Sequence, residues 1–177
     1  MIKKYALFRV FDCLRKHNKL SVRATAKEGD VGVATAKRWL DYLHDNKIIN
    51  LAVYGRMFQY SLNEESMVTR QIKIAFSVAE ISKSGIVQEL RKHPQIVSIV
   101  LYGSLATGKD SPQSDVDILV IARRDIKVNT KTYPGREVCV TAFTQTEWRN
   151  KAKKDKPFYD SIITQGIALY GELPVVI

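Results

Sequence analysis

Along residues 2 to 17 the apolar positions Ile2, Tyr5, Ala6, Phe8, Val10, Phe11, Cys13 and Leu14 recur at a spacing close to 3.6. That period predicts a helix with a wide apolar face, ending at the polar cluster His17-Asn18-Lys19. In LSVRATAKEGD, Ser21 is a candidate N-cap and Gly29 a candidate stop, which predicts a second, short helix. A third is predicted from Val33 to Asn46, with Val33, Ala36, Leu40 and Leu43 on one side and Thr35, Lys37, Arg38 and Asp41 on the other. The period then shortens: IINLAVYGRMFQYSLN reads as two strands about Gly55-Arg56, with Val53, Tyr54, Phe58 and Tyr60 as β-formers.

From Glu64 to His93 a proline-free stretch repeats apolar residues at Ile72, Phe76, Ala79, Val87 and Leu90. It predicts one long helix, or two broken near Ser82-Lys83-Ser84-Gly85, with Glu64 and Glu65 at the start, where negative charge suits the helix dipole, and Pro94 at the end. Ile96 to Tyr102 is a buried-strand pattern that runs directly into Gly103-Ser104. A second such strand, ILVIA, follows Asp115-Val116-Asp117, and REVCVTAFT, residues 136 to 144, makes a third.

Composition narrows the class. An apolar fraction of 45% with 26% charged residues is that of a chain that builds a core. Cys13 and Cys139 lie in apolar segments without C-x-x-C spacing, and His17, His44 and His93 are scattered, a pattern that points away from a zinc site or a disulfide framework. Charges at Lys3, Lys4, Arg9, Asp12, Arg15 and Lys16 interrupt the N-terminal apolar run, and no later stretch has the length of a membrane span, so a cytoplasmic protein with no membrane partner is expected. The net charge of +10 suits a polyanionic partner. The surplus is evenly spread, with 12 Lys and Arg against 7 Asp and Glu up to residue 65 and 16 against 11 after it, so neither part is a detached basic tail.

Against that basic background, Asp115 and Asp117 are conspicuous. Side chains alternate along a strand, so the two carboxylates project from one face and repel. Lys109 in the neighbouring polar loop is the one cation placed within the segment. A turn contact of the Ser114-Asp115 kind accounts for one aspartate but not for two on one face. A divalent cation that prefers hard oxygen ligands, Mg²⁺ above all, resolves the repulsion. Ten residues upstream, the strand-to-glycine turn at Gly103-Ser104 exposes backbone N–H groups, and Ser104 adds a hydroxyl, a combination suited to phosphate oxygens.

Two resemblances follow from these motifs. Through LSVRATAKEGDVGVATAKRWLDYLHDNKIINLAVYGRMFQYSL, residues 5 to 62 resemble the winged helix-turn-helix DNA-binding family. The resemblance implies that the third helix enters the major groove, with Thr35, Lys37 and Arg38 facing DNA and Arg56 beside phosphate at the wing tip. A winged helix also serves as a protein-interaction or dimerisation module, in which case Lys37 and Arg38 form a solvated face. Gly-Ser, ten residues, then Asp-x-Asp between two hydrophobic strands resembles the nucleotidyltransferase superfamily that includes polymerase β, most closely its minimal nucleotidyltransferases. This resemblance runs from about residue 70 to 172, with QGIALYGE similar to the family's last helix and terminal strand. It implies a nucleoside triphosphate such as ATP held by Gly103 and Ser104, Mg²⁺ (or Mn²⁺) on Asp115 and Asp117, and in-line attack of a substrate hydroxyl on the α-phosphorus.

The expected organisation is therefore an α+β chain in three parts. These are a winged helix-turn-helix domain over 1–63, a connecting helix or helices over 64–94 packing with the second domain, and a nucleotidyltransferase domain of mixed β-sheet and helices over 95–177. The family pattern adds a third carboxylate on the next strand, which here falls on Cys139 or Thr141; Glu137 lies on the same face, one alternation step away, and is the candidate for that catalytic role. The lysine run Lys151 to Lys156 lines a polyanion path or forms a solvated helix face. Two functions stand side by side: a Mg²⁺-dependent nucleotidyltransferase that modifies a hydroxyl acceptor, or a DNA-binding regulator or antitoxin-like protein whose nucleotidyltransferase domain binds nucleotide or a partner without turnover. The partner implied by resemblance is a helical protein, as in toxin and antitoxin pairs, or a second copy of the chain.

Overall fold

The computed structural model describes residues 4–126 and 135–176, so Ile2 of the first apolar stripe lies outside the described residues. The chain divides into two compact units, Met1–Phe76 and Ser77–Ile177. The division falls inside one helix.

In the first unit three helices, α1 (Ala6–Lys16), α2 (Val22–Glu28) and α3 (Val33–Asp45), precede an antiparallel hairpin of β1 (Ile49–Tyr54) and β2 (Met57–Leu62). Ser21 caps α2 by accepting from the N–H of Ala24 at 3.3 Å. Gly55, in the two-residue hairpin turn, has φ +59°, a conformation that costs glycine little. The buried centre is Val10, Phe11, Leu14, Leu40, Leu43, Ile49, Tyr60, Leu62 and Phe76. The Phe11 and Phe76 rings stack at 5.6 Å, which is why the first turns of α4 (Met67–Ser84) belong to this unit.

Two apolar assignments change. Tyr5 and Val33 are 64% and 53% exposed. Tyr5 is the N-cap of α1 and Val33 the first residue of α3, so each continues the periodic stripe at a helix edge where no core covers it. Glu64 and Glu65 both lie ahead of α4, whose first turn holds no acidic residue, and the Glu64 carboxylate accepts from the buried ammonium of Lys73 at 2.9 Å.

In the second unit α4 gives way to α5 (Ile86–Arg91) at Gly85, whose φ of +83° breaks the helix in two. Then follow β3 (Ile96–Tyr102), the short α6 (Gly103–Thr107), β4 (Val116–Ala122), β5 (Val138–Thr144), α7 (Gln145–Lys154), α8 (Lys156–Gln165) and β6 (Ile167–Tyr170). The strands form a four-stranded mixed sheet in the order β5-β4-β3-β6. β4 and β5 run parallel, and β3 is antiparallel to both β4 and β6.

The period-2 alternation of the strands sorts their side chains onto two faces. On one face Ile99, Leu101, Ile118, Val120 and Val138 form a core with Ile81, Leu90, Leu105 and Ala106. On the other, Val100, Leu119 and Ile121 pack with Trp148 and Ile162 of α7 and α8. Thr144 and Glu147 form a reciprocal capping box at the start of α7, fixing its departure from β5. The Trp148 indole N–H donates to the carbonyl of Pro174 at 2.6 Å, which ties the C-terminal segment to this face. No helix among the described residues is long and apolar enough to cross a membrane.

Candidate functional site

The second face is apolar over most of its extent and polar at one end. Asp117 is the register partner of Tyr102 on β3 and of Cys139 on β5. Asp115 lies two residues earlier on the same face, and Glu137 one residue before the Val116–Val138 pair, so Asp115, Asp117, Glu137 and Cys139 share one corner of the sheet. Asp115 and Glu137 are exposed, whereas Asp117 and Cys139 are half-buried.

The Gly-Ser turn enters this corner by close contact. Gly103 has φ +73°, and a Cβ placed there would collide with Oδ2 of Asp117 and stand 3.2 Å from its Cγ. Glycine is therefore required twice, for its backbone angle and for the carboxylate packed against it. The carbonyl of Ser104 accepts from the N–H of Lys109 at 3.0 Å and from the hydroxyl of Thr107 at 3.2 Å, while its own hydroxyl makes no hydrogen bond among the described residues.

The electrostatics are unbalanced. Neither Asp115 nor Asp117 has a hydrogen bond or ion pair through its side chain among the described residues. Burial, and then the charge of Asp115, pushes the Asp117 carboxyl above the ordinary aspartate range. The Cys139 thiol is also pushed up, first by desolvation and then by Asp115, Glu137 and Asp117. One thiol thus feels three carboxylates. Two aspartates with free oxygens on one face form a donor set that suits a hard divalent cation, and their unrelieved repulsion is what such an ion would remove. Among the described residues no three His, Cys, Asp or Glu side chains gather into a ligand set, so the aspartates stand as a pair.

The other candidates lie in three places. Lys37 and Arg38 are exposed on α3 and Thr35 is half-buried there, while Arg56 is exposed in the β1–β2 turn. Lys37 is paired with Asp41 one turn along, and the Arg38 guanidinium lies 5.3 Å from the centre of the Trp39 ring. The hairpin tip also carries exposed apolar side chains, Val53, Tyr54, Met57 and Phe58. In the lysine run, Lys151 pairs with Asp155 at 2.8 Å and lies 5.3 Å from the centre of the Phe158 ring, while Lys153, Lys154 and Lys156 are exposed.

Tyr102, Phe158, Arg136 and Asp110 escaped sequence reasoning as parts of this corner. The Tyr102 hydroxyl lies 3.3 Å from that of Thr141, and its ring meets Phe158 edge-on at 5.7 Å. Arg136 pairs with Asp110 at 3.1 Å across the loop that leads into β4. Tyr102, directly before Gly103, was visible as a neighbour of the motif, but partners 26 or 39 residues apart leave no local signal.

Residues 84–173, just over half of the chain, match the protein-family model described as Polymerase beta, Nucleotidyltransferase. No curated protein matches the chain.

Proposed function

Because the chain belongs to the polymerase β nucleotidyltransferase family, we propose that the Gly103–Asp117 corner binds a nucleoside triphosphate, ATP among them, with Mg²⁺ or Mn²⁺ and transfers its nucleoside monophosphate to a hydroxyl acceptor, the bond from the α-phosphorus to the bridging oxygen breaking to release pyrophosphate. The observation that carries this reading is the packing of the Asp117 carboxylate on the backbone of Gly103, beside a second carboxylate, with no cation among the described residues paired to either. A cation bound there supplies Lewis-acid stabilisation of the phosphoryl oxygens. Asp115 and Asp117 hold it through oxygen. Gly103 leaves the backbone open to the phosphates, and the hydroxyl of Ser104, without a hydrogen bond among the described residues, donates to a phosphate oxygen. Glu137, the remaining carboxylate at the corner, accepts the proton of the attacking hydroxyl.

A second reading is favoured by Cys139. It stands directly beside Asp117 in register, where a third carboxylate would complete the site. With a thiol there the corner holds nucleotide without turnover, and the protein acts as a DNA-binding regulator or antitoxin-like partner. In both readings the three helices and hairpin of the first unit serve as a winged helix, presenting Thr35, Lys37 and Arg38 to the major groove and Arg56 to phosphate. The partly apolar hairpin tip suits a helical protein partner or a second copy of the chain as well.

Incubation with α-labelled nucleoside triphosphates, Mg²⁺ or Mn²⁺ and candidate acceptors separates the readings. Label transfer that is lost in the Asp115→Ala/Asp117→Ala protein supports the enzyme, and equal labelling by both proteins sinks it. Saturable, cation-dependent nucleotide binding without transfer supports the second reading. For DNA, Arg38→Ala and Arg56→Ala should each weaken binding and flatten its salt dependence by about one unit of slope. No loss on either substitution removes the first unit from that role.

A further inference from the structure

A carboxylate grips an ion only as well as the backbone beneath it is held. Asp115 lies at the end of the loop from Gly108 to Ser114, which is largely polar and carries exposed Lys109, Ser111 and Gln113, so little apolar burial holds it in place. Hydrogen bonds do so instead. The Ser114 N–H donates to the carbonyl of Ser111 at 3.1 Å and the Ser111 N–H to the hydroxyl of Ser114 at 2.8 Å, closing a turn just before the aspartate.

That turn is anchored from the two residues that lead into β5. Nη1 of Arg136 donates to the carbonyl of Ser114 at 2.8 Å, and the N–H of Val116 donates to the carbonyl of Glu137 at 2.8 Å. The peptide groups on both sides of Asp115 are thus tied to the one dipeptide, Arg136-Glu137, that precedes the neighbouring strand. Nη2 of Arg136 donates to Oδ2 of Asp110 at 3.1 Å, and the two side chains are only 10% and 1% exposed. The planar fork of a guanidinium can serve a carboxylate and a carbonyl at a fixed angle, which the single ammonium of lysine cannot. A buried ion pair is a poor source of net stability compared with apolar packing, so its place at this loop calls for a geometric reason.

We infer that Arg136, braced by Asp110, is the positioning residue that aims Asp115 at the cation. This rests on the cation site proposed above and adds to it the device that sets its geometry. The Arg136 guanidinium acts through its bonds to Asp110 and the Ser114 carbonyl.

The test uses the full chain and Mn²⁺ alone as probe, with two readouts: Mn²⁺ affinity by titration well below the melting temperature, and amide exchange over residues 110–117. Arg136→Met and Asp110→Asn should each weaken Mn²⁺ binding roughly 10- to 100-fold, the scale on which supporting residues affect metal sites, and speed exchange in that segment. Arg136→Lys keeps the charge opposite Asp110 but loses the second bond, and should fall between wild type and Arg136→Met; it also keeps the test open if the methionine variant does not fold. Asp115→Asn should lose Mn²⁺ with exchange unchanged. Faster exchange with unaltered Mn²⁺ affinity would make Arg136 a structural brace only and overturn the inference, as would unchanged exchange. A wild-type protein that takes up no Mn²⁺ while the variants loosen the loop would overturn the cation site itself, a distinct failure.

Discussion

The exposed face of α3 and the acidic corner of the sheet are both charged surfaces, yet they are built in opposite ways. On α3, Lys37 and Asp41 lie one turn apart and pair with each other, while Arg38 lies over the adjacent Trp39 ring. At the corner, Asp115 and Asp117 face the same way and pair with nothing among the described residues. Lys37 and Asp117 are both pushed to higher pKa, for contrary reasons. The hydrogen bond to Asp41 stabilises the charged ammonium, whereas burial and Asp115 destabilise the charged carboxylate. A protein of net charge +10 therefore points to its candidate site through an unmet negative charge. Charge density marks encounter surfaces; carboxylates left unpaired among the described residues are the basis of the proposed cation site.

The largest test of this contrast removes each pair in turn. Asp115→Ala/Asp117→Ala should reduce Mn²⁺ binding, and any label transfer, by at least about 100-fold, the scale of losing a preorganised electrostatic contact at a reacting centre. Lys37→Ala/Asp41→Ala should shift folding stability by less than about 1 kcal/mol, since exposed helix pairs contribute little. Comparable losses of Mn²⁺ binding from both double variants would erase the distinction between the two surfaces. Next in size is Gly103→Ala. It forces an alanine to φ +73° and drives a methyl group into the Asp117 carboxylate, at a cost of about 1–3 kcal/mol in stability by chemical denaturation. A wild-type denaturation curve would show that the turn tolerates a side chain and that the close approach is not real.

A gain is expected at Cys139. Cys139→Asp sets a carboxylate directly beside Asp117, the fourth at the corner with Asp115 and Glu137, so the ion-free protein should melt lower while its Mn²⁺ affinity at neutral pH rises about tenfold, and the upward shift in Tm on adding Mn²⁺ should grow. If the variant also gains label transfer that wild type lacks, the thiol is what separates binding from turnover. A Mn²⁺ affinity that stays level or falls would show that position 139 does not face the ion.

The parts of the molecule that could be read in advance were those where local spacing carries the physics. Ser21 and Gly29 bracket α2 because caps are local, and Gly103 with Asp115 and Asp117 could be singled out because a strand fixes which side chains share a face. Less could be read where the determinant is distant. Periodicity placed Tyr5 and Val33 on apolar stripes but holds no information about where the core ends, and both are exposed. Whether residues 64 to 93 form one helix or two turned on Gly85, whose φ of +83° is a matter of how the chain is packed. The Arg136–Asp110 pair joins residues 26 apart through strand pairing, so no window of sequence contains it.

The smallest expected effect is the most diagnostic of the corner's electrostatics. A carboxyl whose pKa is raised by folding holds its proton more tightly in the native state than in the unfolded chain. Its stabilising effect is therefore greatest below the unfolded value, 3.8, and is lost as pH rises through the higher folded value. As pH rises, the burial and the neighbouring Asp115 charge that raise the Asp117 pKa come to count against the fold. Asp117→Asn keeps the shape against Gly103 while removing the charge, so the variant should melt slightly higher than wild type at pH 7, by roughly 1–2 °C for a chain of this size, and no higher near pH 3. Mn²⁺ should reverse the order at pH 7, raising Tm for wild type alone. By the same sign, wild-type Mn²⁺ affinity should decline on acidification at a pH above that expected for an ordinary aspartate. Scanning calorimetry of both proteins at the two pH values, with and without Mn²⁺, measures all of this. A variant that melts lower than wild type at pH 7 without metal would mean that Asp117 stabilises the fold, and the corner would then be no more a binding site than the paired charges of α3.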